Sequence, residues 1–239
     1  MSQAWITQIQ PRLEQVRHHI SKAAEHSGRS AEAVQIIAIT KGQPVSAIQA
    51  AVALGLDQIG ENRVEEALKK QEVLDGSEIT WHMVGHIQSR KATAIVGNFS
   101  WVHSIDRMKI AARISHFAME QSVQLPVLLE CNVSGEGTKS GWQLADRASW
   151  SEVLPDLSEV IGLPGLNVMG LMTMAPWVQD EFILRSTFQT LRQLRDYLEE
   201  ALDHSLPELS MGMTDDYLIA IEEGATMVRL GRVLFGARA

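Results

Sequence analysis

Cysteine occurs once in the 239 residues, at Cys131. A single thiol excludes a disulfide framework and a Cys-based zinc site, and it fits a reducing cytosol. Positive charge is in deficit, with 21 Lys+Arg against 29 Asp+Glu and a formal charge of −8. No Lys/Arg-rich run offsets that balance, so binding to a nucleic-acid backbone is not expected as the main task. A secretory signal is also missing: the first charge is Arg12, and no basic segment precedes an apolar one. Charge is absent from Val160 to Gln179 as well. Gly162, Pro164, Gly165, Asn167, Gly170 and Pro176 interrupt that stretch, which reads as loop plus buried strand and not as a membrane span. No linker rich in Pro, Gly or Ser divides the chain. One globular domain over 1–239 is expected, with 45% apolar residues to supply its core.

What is present is a rhythm. Ile6, Ile9, Leu13, Val16 and Ile20 have the 3-4 spacing of an amphipathic N-terminal helix. The run Val34–Thr40 is apolar and β-branched, as in a strand buried on both faces. Pro44 opens a helical stretch with Val45, Ile48 and Val52 on one face. Further strand candidates follow at Gln58–Asn62, Ile79–Gly85, Trp101–Asp106, Val127–Val133, Asn167–Met174, Glu208–Met213 and Met227–Gly231. Between them, Arg63–Leu74 carries the i,i+4 pairs Glu65/Lys69 and Glu66/Lys70, and Glu181–Leu202 carries a stripe of Leu184, Phe188, Leu191, Leu194, Leu198 and Leu202. Asp215–Glu223 reads as a short helix capped by Thr214. Eight strands alternating with helices predict a TIM (β/α)8-type α/β barrel with an extra N-terminal helix. An open doubly wound sheet is the alternative that periodicity leaves standing.

In a βα barrel, chemistry gathers where strands end. Lys41 follows six mostly apolar residues. It either snorkels to solvent or serves as a Schiff-base lysine held by the tight turn at Gly42 and Pro44. The segment Ser210-Met211-Gly212-Met213-Thr214 joins a strand to a helix through glycine, and Arg229-Leu230-Gly231-Arg232 closes the next strand; together they favour an anion site. Other features point elsewhere. Gly135–Ser140 lacks the order of a phosphate loop, leaving Lys139 as an entry-side cation. His82 and His86 sit in strand-like context and do not make a helical metal pair, and no metal site is expected. His18, His19 and His26 decorate the first helix, and Cys131 behaves as a core residue.

The motifs Ala38–Lys41, Ile59–Asn62, Trp81–Gln88, Gly170–Thr173, Leu209–Met213 and Val228–Gly231 resemble, in order, those of the pyridoxal phosphate homeostasis protein family, also called the YggS or PROSC family. The resemblance runs from Val34 to Gly236 and implies a barrel similar to the N-terminal domain of alanine racemase. Lys41 then matches the lysine that holds pyridoxal 5′-phosphate (PLP) as a Schiff base. Ser210, Met211 and Gly231 match phosphate-binding positions, and Arg229 matches the arginine facing the pyridine nitrogen. Asn62 and His82 fall in motifs near the ring. Arg232 departs from the pattern, which has a small hydroxyl residue there; Arg90 departs where Asn is usual.

The resemblance implies a PLP-binding protein of vitamin B6 homeostasis and amino-acid/keto-acid balance, without evident catalysis. An arginine at the ring nitrogen donates a hydrogen bond and so favours the unprotonated, weakly electron-withdrawing ring. The racemases carry a second domain that delivers a tyrosine; here Tyr197 and Tyr217 both fall on predicted helices and the chain ends at Ala239. The expectation is therefore a cytoplasmic monomer that exchanges PLP with PLP-dependent apo-enzymes and contacts neither nucleic acid nor membrane. A PLP-dependent racemase-like enzyme and a phosphosugar-type barrel enzyme without PLP are the alternatives.

Overall fold

The computed structural model describes residues 2–237. Met1 and Ala239, the ends of the expected domain, lie outside them. All eight expected strands form, each within a few residues of its expected bounds. They are β1 (Gln35–Ile39), β2 (Gln58–Glu61), β3 (Thr80–Met83), β4 (Trp101–Ile105) and β5 (Leu125–Asn132), followed after a two-residue strand β6 (Trp142–Gln143) by β7 (Leu166–Met172), β8 (Glu208–Ser210) and β9 (Met227–Leu230). Every pairing is parallel. The order is β4-β3-β2-β1-β9-β8-β7-β5, and β4 also pairs with β5, so the sheet closes on itself. That closure excludes the open doubly wound alternative. β6, which the sequence pattern does not disclose, extends the end of β5 outside the ring.

The core has two compartments. Ile37, Leu128, Met172 and Met227 form a separate buried cluster. They come from β1, β5, β7 and β9, and strands on opposite sides of a ring meet only through its lumen, so this cluster is the apolar fill of the barrel. The larger cluster lies between the ring and its helices. There α1 (Ser2–His26), which accommodates Pro11 internally, buries Ile9, Leu13, Val16 and Ile20. It packs against α2 (Val45–Ala53) and the short C-terminal helices. Then come α3 (Val64–Val73), α4 (Met108–Glu120), α5 (Trp150–Ile161) and α6 (Glu181–Leu202), the last burying the expected stripe from Leu184 to Leu198 and capped by Asp180, whose carboxylate accepts from the amides of Phe182 and Ile183. Among the described residues, no helix is long and apolar enough to cross a membrane.

One helix departs from expectation. α7 begins at Tyr217 and ends at Glu222, with Thr214–Asp216 in a turn ahead of it; α8 (Arg232–Phe235) follows β9. Thr214 is not the cap. The Asp216 carboxylate accepts from the Met213 amide at 2.5 Å, and this closes the turn and delays the helix.

Candidate functional site

The strand ends enclose a cavity of about 440 Å³. Lys41 and Gln43 reach it from the end of β1, Asn62 from β2, Gly85 and His86 from β3, Glu130 from β5, Met174–Val178 from β7, Met213–Asp216 from β8, and Arg229, Gly231 and Arg232 from β9. Five expected site residues, Lys41, Asn62, Arg229, Gly231 and Arg232, therefore line one cavity. The other three, His82, Ser210 and Met211, are fully buried and lie outside its lining. The Met211 amide donates to Met227 O at 3.1 Å and is already used in the sheet.

Lys41 is held through both of its neighbours. Thr40 Oγ1 donates to Glu61 Oε1 at 2.6 Å, and Lys70 Nζ donates to Thr40 O at 2.7 Å. The same ammonium reaches Glu61 Oε1 at 2.6 Å and Glu66 Oε1 at 2.7 Å, while the Gly42 amide donates to Glu66 Oε1 at 2.5 Å. The Glu66/Lys70 pair, read from sequence as i,i+4 helix spacing, is thus the joint between α3 and the turn that carries Lys41. Lys70 is only 6% exposed. Burial pushes the Glu61 carboxyl up against the pull of Lys70 and Thr40, and its Oε2 has no hydrogen-bond partner among the described residues.

At the ends of β8 and β9 the backbone offers donors. Thr214, Asp215, Gly231 and Arg232 line the cavity, and their amides have no acceptor among the described residues. The turn that presents the first two depends on Gly212, whose φ is +92° and where a Cβ would meet Ala220 Cβ at 2.6 Å and Tyr217 Cα at 2.9 Å. Arg232 directs its guanidinium to the Asp215 carboxylate, both side chains exposed, so its side chain leaves the amide clear. Across the cavity a Cβ at Gly85 would strike Asn62 O at 2.4 Å, which is how Asn62 comes to stand close against the β3 end.

Arg229 forms the floor and is 5% exposed. Nη1 donates to Ser210 O and Oγ, both at 2.7 Å, and Nη2 to Thr173 O at 2.8 Å. Its Nε–H and one Nη2–H have no acceptor among the described residues. Burial lowers its ionisation to about 10, so it stays charged at neutral pH. Glu130, missed from sequence, is beside it; burial and then Asp106 push its carboxyl up to about 7 against the pull of Arg229 and Arg107. An acid inside the apolar run Leu128–Cys131 was the available signal. At the rim, His86 Nδ1 is 3.0 Å from Asp106 Oδ2, and Lys139 donates to Met174 O at 3.0 Å. Cys131 is buried, and its thiol is pushed up by desolvation, as a core residue should be.

This donor set fits a phosphorylated heteroaromatic aldehyde. A primary amine at the end of β1, acceptor-free amides at the ends of β8 and β9, and a buried guanidinium with spare N–H groups on β9 border one cavity. Ile39, Val84 and Met213 supply apolar contact for a ring. Arg229 would face a ring acceptor, and the amides would take a phosphate.

The family described as the N-terminal domain of alanine racemase matches residues 12–239. The pyridoxal phosphate homeostasis protein of Aquifex aeolicus is 40% identical over 228 residues, covering 95% of this chain and 97% of that protein. That of Pseudomonas aeruginosa is 41% identical over 231 residues, covering 96% of each. Among solved structures, PipY of Synechococcus elongatus PCC7942 with PLP bound superposes with a TM-score of 0.82 at 35% identity, covering 96% of this chain and 100% of PipY. An alanine racemase of Clostridium difficile 630 shares the fold, with a TM-score of 0.75 at 15% identity over 97% of this chain and 57% of the racemase.

Proposed function

We propose that this chain, which belongs to the pyridoxal phosphate homeostasis protein family on the alanine racemase N-terminal domain fold, binds PLP in the strand-end cavity and serves intracellular PLP homeostasis as a holder and not as a catalyst. Residues 1–239 act as one PLP-binding domain, in the cytoplasm. The observation that carries the reading is the convergence of Lys41, the acceptor-free amides of Thr214, Asp215, Gly231 and Arg232, and the buried Arg229 on one cavity.

When bound, PLP supplies a reactive aldehyde and an electron-sink ring. Lys41 provides the amine for attachment, with its turn fixed by the Thr40–Glu61–Lys70–Glu66 network. The four amides would bind the phosphate. Arg229 would present N–H to the ring nitrogen; a cation there opposes protonation of the ring and so weakens it as a sink. Asn62 would contact the ring. His82 and Ser210 act from beneath, and Met211 through the strand that carries the phosphate turn.

The racemase-like alternative requires a second acid–base group facing Lys41, and a tyrosine does not supply it. Neither tyrosine lines the cavity: Tyr217 Oη shares a hydrogen bond with His19 Nδ1 at 3.2 Å, and Tyr197 packs on Trp150. The test incubates PLP-loaded protein in deuterated water with a panel of L- and D-amino acids, then with an apo-enzyme that needs PLP. Transfer of cofactor without α-proton exchange above the free-PLP rate supports a holder. Exchange at turnover rates would establish the racemase-like reading instead.

A further inference from the structure

A row of polar side chains crosses the barrel lumen from one end to the other. Arg229 Nη1 reaches Ser210 Oγ at 2.7 Å; Ser210 Oγ and His103 Nδ1 are 2.9 Å apart; His103 Nε2 and His82 Nδ1 are 2.9 Å apart; His82 Nε2 and Gln58 Oε1 are 3.0 Å apart. Gln58 Nε2 donates to Asp57 Oδ1 at 3.1 Å. His82, His103 and Ser210 are fully buried, whereas Asp57 is exposed at the N-terminal ends of the strands beside a second cavity. Of the whole row, only Arg229 lines the PLP cavity.

The hydrogens of this row can be assigned from either end. A guanidinium only donates, so Ser210 Oγ accepts from Arg229. No other acceptor stands near the Ser210 hydroxyl among the described residues, so its proton goes to His103 Nδ1. A neutral imidazole that accepts at Nδ1 donates at Nε2, here to His82 Nδ1, and His82 then donates through Nε2 to Gln58 Oε1. Starting from the far end, the Asp57 carboxylate fixes the Gln58 amide with its nitrogen outward and its oxygen toward His82. His82 Nε2 must then carry a proton, and the same sequence of donors returns to Ser210. The two derivations agree at the His82–His103 bond. Both rings are neutral, since burial lowers His82 to about 3 and holds His103 well below its usual range. Trp101 stacks on His82 with centroids 6.0 Å apart and shields the row.

We infer that Asp57, Gln58, His82, His103 and Ser210 form a single polarised hydrogen-bond chain, every donor pointing from the Arg229 cation toward the Asp57 anion, and that His103 is a positioning residue for the Arg229 guanidinium. With its proton taken by His103, Ser210 Oγ presents only lone pairs to Arg229. Reversing one imidazole would leave the Ser210 proton without an acceptor and turn it toward the guanidinium, weakening the Nη1–Oγ contact while the carbonyls of Ser210 and Thr173 still hold Arg229. The direction of the row is a property of the chain alone; its consequence for a ring nitrogen rests on the PLP reading.

Two measurements test it. Nitrogen-15 NMR of the cofactor-free protein reads the tautomers directly: the chain requires the Nε2–H form at both His82 and His103, and an Nδ1–H form or an imidazolium at either ring overturns it. The second compares His103→Asn, whose side-chain oxygen keeps an acceptor near the Nδ1 position, with His103→Gln, whose amide keeps a donor near the Nε2 position. PLP affinity, read by absorbance titration, should stay within about twofold in the first and fall about tenfold in the second, with the bound absorbance maximum shifted only in the second. Equal effects from both variants would reduce His103 to packing and overturn its positioning role. If the unmodified protein binds no PLP, the proposed function fails while the NMR result still decides the chain.

Discussion

Lys70 Nζ donates to the carbonyl oxygen of Thr40 at 2.7 Å, tying α3 to the residue that precedes Lys41. The same ammonium neutralises Glu61, whose carboxylate is fully buried. The cavity-lining Lys41 thus owes its position to a second lysine that does not line the cavity.

Replacing Lys70 by Met would leave the Glu61 charge buried without its cation. A loss of about 3 kcal/mol in unfolding free energy is expected, because the orphaned charge and not the lost pair sets the cost. Urea denaturation measures it. Adding Glu61→Gln to Lys70→Met should recover part of the loss, and a double variant no better than the single one would show that the charge is not the cause.

Gly212→Ala tests the phosphate turn. The positive φ and the crowding against Ala220 and Tyr217 together predict about 2 kcal/mol of destabilisation. PLP affinity should fall at the same time, since the Thr214 and Asp215 amides are displaced. Thermal unfolding and dialysis against PLP read the two effects separately.

Arg232→Ser should do little. Its guanidinium is engaged with Asp215 at an exposed position, and the proposed phosphate contact runs through the backbone amide. Stability within about 0.5 kcal/mol of the parent and PLP affinity within about twofold are expected. A large loss of affinity would assign the side chain, and not the amide, to the phosphate.

Glu130 predicts a pH dependence. Its folded ionisation lies near 7, above that of an unfolded glutamate, so between about pH 4.5 and 7 the folded state binds more protons and stability falls as pH rises. The penalty is absent below that window and complete above it, reaching about 3 kcal/mol as an upper bound. Glu130→Gln should therefore match the parent in Tm at pH 5 and exceed it at pH 8. An equal difference at both values would remove Glu130 as the source.

The barrel was legible because parallel strands with both faces buried are continuous apolar runs, as in Ile36-Ile37-Ala38-Ile39, and eight of them alternate with helical spacing. That same continuity hides which residues face the lumen. His82 and His103 come within hydrogen-bonding reach only because β3 and β4 pair side by side, with His82 opposite Trp101. Nothing in the local pattern distinguishes an inward histidine from an outward one. Lys70 was likewise readable as half of an ordinary helix pair, because its burial depends on where β1 and β2 lie and not on α3 itself. Ser210 and Met211, two of the expected phosphate positions, lie outside the cavity lining, and the amide of Met211 is spent on the sheet; the acceptor-free amides of that segment begin only after the turn at Gly212.

The central claim is that Lys41 holds PLP in this cavity. Its most direct test is the absorption spectrum of the purified protein after incubation with PLP, beside Lys41→Ala, followed by borohydride reduction and peptide mass analysis. The structure predicts a visible band in the parent, its loss in the variant, and a reduced pyridoxyl group on the peptide that contains Lys41. No band in the parent, or label fixed on another lysine such as Lys139, would contradict it.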